Sequence, residues 1–179
     1  MDVMIDIETL STDKTAVILT IGAIKFNRKE DPKSIDKMEK FYCRIVQDSC
    51  TKLGMTIDGS TQKWWDSQSE ESKYETLLNP DRMDIQLALT NLSKFIGTSR
   101  YIWANSPNFD CVILENAYGL CNLKVPWKFW NLRDCRTIYD LASVNLKDIS
   151  NPNAHHALYD CYYQILGVSK SMKNLKLIN

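Results

Sequence analysis

Nowhere in the 179 residues does an unbroken apolar run approach the ~18 needed to cross a bilayer as a helix, so no membrane span is expected. The opening MDVMIDIETL is acidic and too short in apolar length to read as a signal peptide. Both absences point to an intracellular protein. Close cysteine pairs are missing as well. The six cysteines, Cys43, Cys50, Cys111, Cys121, Cys135 and Cys161, form no C-x-x-C, which argues against structural zinc. In an intracellular chain of this size they are expected as reduced, buried thiols rather than a disulfide framework. Net charge is lacking too, since 22 basic side chains cancel 22 acidic ones. Proteins that grip long duplexes usually carry a basic face. For a nucleic-acid protein, zero charge favours a small footprint such as a strand end. No internal repeat or low-complexity segment appears.

What is present fits one domain, 1–179, with a substantial core: 44% of residues are hydrophobic, an ordinary value for a globular chain. Short apolar and β-branched runs predict strands over 3–7, 16–26 and 41–46, the first two joined by a polar hairpin link at 9–15. Residues 48–82 read as an irregular insertion with short helical pieces, one near 61–67. Helical periodicity predicts a helix over 83–96 with Met83, Leu87, Leu89, Leu92 and Ile96 on its stripe, stopped by Gly97. Beyond it come a strand at 101–104, a helix at 108–121, a strand at 129–132 and helices at 136–144 and 154–167. Residues 168–179 are expected as a peripheral basic tail. Three antiparallel strands followed by alternating helices and strands imply an α/β fold, a mixed sheet with helices on both faces.

The chemistry sits in three short stretches. In Asp6-Ile7-Glu8 the carboxylates are two apart on a strand, so both project from one face. Like charges held side by side are costly unless a cation lies between them, so the pair reads as half of a divalent-metal site. Surface strands also carry D-x-E without function. Asn108-Phe109-Asp110 opens a helix, where an acid is favoured by the helix dipole alone. His155-His156-Ala157-Leu158-Tyr159-Asp160 holds both histidines of the chain. On a helix, His155 and Asp160 would lie on adjoining sides, the acid reaching a metal and the imidazole a water. Histidine suits such a base because its proton leaves near neutral pH.

In order and spacing these stretches resemble the three motifs of the DEDDh 3′-5′ exonucleases: D-I-E-T at 6–9, N-F-D at 108–110 and H-x-A-x-x-D at 155–160. Two further stretches, T-x-K-W-W-x-x-Q-S at 61–69 and K-F-W-N-x-R-D-x-R-T at 128–137, resemble the branch of that family found in T-even phages and a related branch of short bacterial exoribonucleases. The likeness spans about residues 3 to 166, with a shorter segment between the second and third motifs than the phage branch has. The resemblance implies a ribonuclease-H-like fold and release of nucleoside 5′-monophosphates from a 3′ end. It also implies two divalent ions, Mg2+ or Mn2+, clamping the scissile phosphate. Asp6, Glu8 and Asp160 would hold one ion, Asp6 would bridge to the second, Asp110 would help place it, and His155 would take a proton from the attacking water. Thr9 and Leu10 fall where the family contacts the terminal nucleotide, with Asn108 and Phe109 beside the second motif. Trp64, Trp65 and Gln68 offer a stacking or sugar-contacting surface; either tryptophan taken singly reads more readily as core, and at least one of the two is expected to line the groove. Arg133 and Arg136 would meet phosphate, unless Arg133 pairs with Asp134.

The implied partner is single-stranded nucleic acid or a 3′ overhang in the cytoplasm of a bacterial or phage-infected cell, with a homodimer common among relatives. Two other readings stand beside it: a phosphodiesterase of short oligonucleotides, and a silent nucleic-acid-binding module on the same fold. No residue distinguishes RNA from DNA.

Overall fold

A computed structural model describes residues 1–178. Five strands form one sheet: β1 (Asp2–Thr9), β2 (Ile18–Phe26), β3 (Lys40–Arg44), β4 (Ile102–Ala104) and β5 (Leu132–Asp134), in the order β3-β2-β1-β4-β5. β1, β2 and β3 pair antiparallel, and β4 and β5 add on parallel to β1. Around them lie α1 (Gln47–Thr51), α2 (Gly59–Asp66), α3 (Glu70–Lys73), α4 (Ile85–Ile96), α5 (Asp110–Leu120), α6 (Cys135–Leu141) and α7 (Ala157–Asn174). The α/β fold is ribonuclease-H-like, with helices on both faces of the sheet.

Central position explains why β1 and β2 are apolar on both faces. Alternation sends Val3, Ile5 and Ile7 into a core with Trp65, Leu89, Leu92 and Leu114 from α2, α4 and α5. Met4 points the other way, into a second core with Ile24, Trp103, Cys135, Cys161 and Ile165, capped by α6 and α7. Asp6 and Glu8 share the parity of Met4, so they face α7 at the end of its core. Side-chain caps set where helices begin: Asp58 accepts from the Thr61 amide, Asp84 from Gln86, and Asp134 from Arg136 and Thr137.

One missing atom governs how near α7 comes to β1. Gly22 is the cross-strand partner of Asp6. A Cβ at Gly22 would fall 2.4 Å from the Ala157 carbonyl carbon and 2.6 Å from the Leu158 amide nitrogen. The first turn of α7 therefore rests on bare β2 backbone beside Asp6, and Asp160 follows in that turn.

Several expectations shift. The strand expected at 129–132 is a 3-10 turn at Phe129–Asn131 followed by β5, because the pairing with β4 begins at Leu132 opposite Ile102. Met83 lies outside its helix, bridging to Ile45, and α4 starts after the Asp84 cap with Leu87 exposed. The helix expected at 154–167 starts three residues later and runs to Asn174. Val168, Ser171 and Met172 are buried, so the first part of the expected tail packs into the core, while Leu177 beyond it is exposed. Gly167 does not stop the helix. It makes room for the Tyr139 ring, which a Cβ would meet at 2.9 Å. All six cysteines are buried and free, as expected. Among the described residues, no helix is long and apolar enough to cross a membrane.

Overpacking at the closest backbone contact is expected to act on the site as well as on stability. Gly22→Ala should cost about 1–3 kcal/mol in urea unfolding and lower nuclease activity, whereas Gly59→Ala, with open space around its Cβ, should be near neutral.

Candidate active site

A cleft of about 990 Å3 opens at the C-terminal end of β1, between the start of α5, the start of α7 and the segment 146–155 that precedes α7. Asp6, Glu8, Asp110 and Asp160 all line it. Carboxylate oxygens of Asp6, Glu8 and Asp160 lie within 4.8 Å of one another. Asp110 is 3% exposed, and its Oδ1 accepts from the Ile7 amide at 3.1 Å. That bond ties the N-terminus of α5 to β1. It gives Asp110 a role beyond the helix-dipole preference its position alone explains.

Two amides brace the acids. Gln164 is one turn beyond Asp160 on α7, and its Nε2 donates to Asp6 Oδ1 at 2.7 Å. Asn151 Nδ2 donates to Asp160 Oδ1 at 2.6 Å from the segment before α7. Neither residue was singled out from the sequence. Gln164 carried a usable signal, four residues after Asp160 and so on the same helical side. Asn151 carried none, because its partner is set by an irregular segment.

Withdrawal from water pushes the Asp6 carboxyl well above the usual carboxylate range. Asp110, Asp160 and Glu8 add to the rise, and the Gln164 amide opposes it. Glu8 is raised by the same withdrawal and by Asp160 and Asp110. Asp110 is pushed up to about 7 by burial, against the Ile7 amide. Burial also lifts Asp160, to about 6, against the amides of His155 and His156 and the Asn151 side chain. Among the described residues, no Lys, Arg or His lies within 4.0 Å of these four acids as an ion pair. Arg136 in the cleft wall acts on Asp110 from beyond that distance. An all-oxygen donor set so little compensated fits hard divalent cations such as Mg2+ or Mn2+.

The two histidines part company. His155 precedes α7 rather than riding on it, with φ of 65°, and its ring lines the cleft edge-on to Trp64 with centroids 4.8 Å apart. Burial lowers its pKa from the ordinary histidine value, which leaves a neutral ring at neutral pH. His156 turns the other way, stacks on Tyr42 at 4.6 Å, and has its Nε2 3.7 Å from Glu75.

Of the other expected contacts, Trp64, Asn108, Phe109 and Arg136 line the cleft. Thr9 is buried, but it borders a smaller adjoining depression with Glu8, Trp64 and Phe109. Four depart from expectation. Trp65 is 1% exposed and its Nε1 donates to the Thr9 carbonyl at 2.9 Å, so it is core. Leu10 is buried in the same core, past the register break between Glu8 and Thr9, with its amide still bonded to the Val17 carbonyl. Gln68 lies outside the cleft, its Nε2 donating to the Trp64 carbonyl. Arg133 does not pair with Asp134, whose carboxylate caps α6; it sits over the Tyr101 ring instead.

Residues 1–172 match the model of the Rv2179c-like 3′-5′ exoribonuclease domain. The chain belongs to that family. It is a 3′-5′ exonuclease. It is also similar to an exodeoxyribonuclease of Enterobacteria phage T4, 23% identical over 203 residues, spanning 96% of this chain and 89% of the phage protein. In fold it resembles the crystal structure of cell-death related nuclease 4, with a TM-score of 0.58 and 11% identity over 97% of this chain. The chain spans 64% of that nuclease's length, and the likeness is one of fold.

For this exonuclease, the burial of its acids, Asp110 above all, should appear in stability when metal is removed. Asp110 goes from an ordinary 3.8 to about 7 on folding, so the folded state holds that proton more tightly across the interval. Its favourable contribution is complete below about 4 and is lost as pH rises through about 7. In EDTA, melting temperature should therefore fall more steeply over that range for the wild type than for Asp110→Asn. Added Mg2+ should flatten the wild-type curve. Parallel curves in EDTA would count against the strained carboxylate.

Proposed function

We propose that this exonuclease removes nucleotides from the 3′ end of single-stranded nucleic acid, or of a 3′ overhang, by a two-metal mechanism with His155 as general base. The observation that carries the proposal is the meeting of Asp6, Glu8 and Asp160 within 4.8 Å, beside buried Asp110 and with no ion pair to any of the four among the described residues.

Asp6, Glu8 and Asp160 would hold one cation, and Asp6 with Asp110 the other. Bound there, divalent cations would neutralise the scissile phosphate and make a water easier to deprotonate. The chain's own groups do the rest. Gln164 occupies Asp6 Oδ1 and so orients the remaining oxygen toward the cleft. Asn151 does the same for Asp160. Neutral His155 takes the proton of the attacking water at a ring nitrogen, and the half-exposed Trp64 edge limits where that ring can swing. The leaving group departs with its 3′ oxygen, which makes the product a nucleoside 5′-monophosphate. Trp64 and Phe109, both bordering the cleft and the depression next to Glu8, offer apolar surface for the terminal base.

His155 is preferred to His156 because the latter is engaged with Tyr42 and Glu75 outside the cleft. End-labelled RNA and DNA oligomers of one sequence, incubated with Mg2+ and then Mn2+, would report polarity, sugar preference and shortest product together. His155→Ala should lose roughly a hundred- to ten-thousand-fold in kcat. His156→Ala should keep most activity in the folded fraction. The reverse pattern, or gel shifts of both oligomers with no cleavage, would defeat the assignment.

A further inference from the structure

Three guanidinium groups converge on one ring at the end of the sheet away from the carboxylates. Arg133, Arg28 and Arg100 lie 3.9, 4.4 and 4.9 Å from the Tyr101 ring centroid. Arg28 is balanced by Asp2, its Nη1 2.9 Å from the Asp2 Oδ2. Arg100 and Arg133 have no carboxylate within 4.0 Å among the described residues. Packing against Tyr101 needs one cation and does not explain three, since like charges so close repel.

The same patch carries exposed aromatics. Arg133 Nη1 donates to the Trp130 carbonyl at 3.0 Å, which fixes the 3-10 turn beside the arginines. On that turn Phe129 is 79% exposed and Trp130 60%, their rings edge-to-face at 4.8 Å. Large aromatics left in water beside surplus positive charge match a single strand, whose bases stack and whose phosphates need cations. A protein partner would be served by the aromatics alone and gives no reason for the guanidinium surplus. The Tyr101 carbonyl accepts from the Val3 amide, three residues before Asp6 and so about 10 Å from it along β1. Arg136, three residues after Arg133, already lines the cleft.

We infer that Arg100, Arg133, Phe129 and Trp130 form a second nucleic-acid site that holds the 5′ portion of a single strand whose 3′ end occupies the cleft. The inference rests on the single-stranded substrate proposed above and is independent of the metal assignment. It reconciles a chain of zero net charge with a polymeric substrate, because the cations are concentrated where the strand leaves.

The test separates binding from cleavage. Anisotropy of a 5′-labelled single strand of about twelve nucleotides, measured in EDTA with the full chain, reads binding without turnover. Trp130→Ala should weaken binding about tenfold. Arg100→Glu should weaken it and flatten its salt dependence. Both side chains are exposed, so both variants should melt like the wild type. With Mg2+, both should raise KM for the long strand and leave hydrolysis of a dinucleotide unchanged. Unaltered anisotropy would overturn the inference. So would equal losses on dinucleotide and long strand, or a dimer that Trp130→Ala dissociates while strand binding persists. Intact binding with no cleavage of any oligomer would instead refute the catalytic reading and leave this site standing.

Discussion

Mutual repulsion among Asp6, Glu8, Asp110 and Asp160 is the constraint around which the molecule is arranged. Four acids sharing one cleft, three with oxygens inside 4.8 Å, would spread apart in a yielding scaffold. Here none can retreat. Asp6 and Glu8 are fixed by the alternation of a central strand whose neighbours are paired on both sides. Asp110 is bonded to the backbone between them. Asp160 is carried by a helix seated on Gly22 and buried along its inner side. The large cores on the two faces of the sheet thus have a function beyond stability. They hold charges at separations the charges themselves disfavour, a common arrangement where a cation is to be bound tightly.

Adjacent histidines show how the backbone divides labour. His156 belongs to a small polar cluster in which Tyr42 donates to Glu75 at 2.7 Å and Arg44 pairs with Glu75. That cluster ties β3 to the segment before α7. With its neighbour anchored and its own φ at 65°, His155 is turned the other way, toward the carboxylates. A positive φ is unusual for a residue with a side chain and persists when surrounding contacts over-determine it. The stacking of His156 on Tyr42 is such a contact.

Much of the candidate site was legible from the chain because it depends on short-range geometry. Parity along β1 put Asp6 and Glu8 together, whereas Asp110, explained at a helix start by the dipole alone, joined them only through the resemblance of N-F-D to a family motif. What lay beyond reach was set by tertiary partners. Whether Trp64 or Trp65 entered the core depended on which indole met the Thr9 carbonyl, and Gln68 followed from the turn after α2. His155 looked helical because the H-x-A-x-x-D spacing suits a helix, yet α7 begins at Ala157, once the backbone has reversed. The 129–132 segment reads as a strand by its aromatics, but β5 begins only at Leu132, which leaves Phe129 and Trp130 in water. The last helix was expected to end at Gly167, but α7 passes through it, with the Tyr139 ring packed where a Cβ would be.

The length of α7 carries one more consequence. Its first turn presents Asp160 and its second Gln164, while its last turns bury Val168 and Met172 and donate a bond from Asn174 Nδ2 to the Ala142 carbonyl. Rigid over 18 residues, or about 27 Å, it behaves as a lever whose grip is at one end and whose working tip is at the other. Proteolytic nicking or a premature stop near residue 168 would spare every acid and both imidazoles, yet release the helix that keeps two of those groups in place. The far end of this polypeptide is thus a vulnerability of the nuclease that no inventory of its reactive groups would reveal.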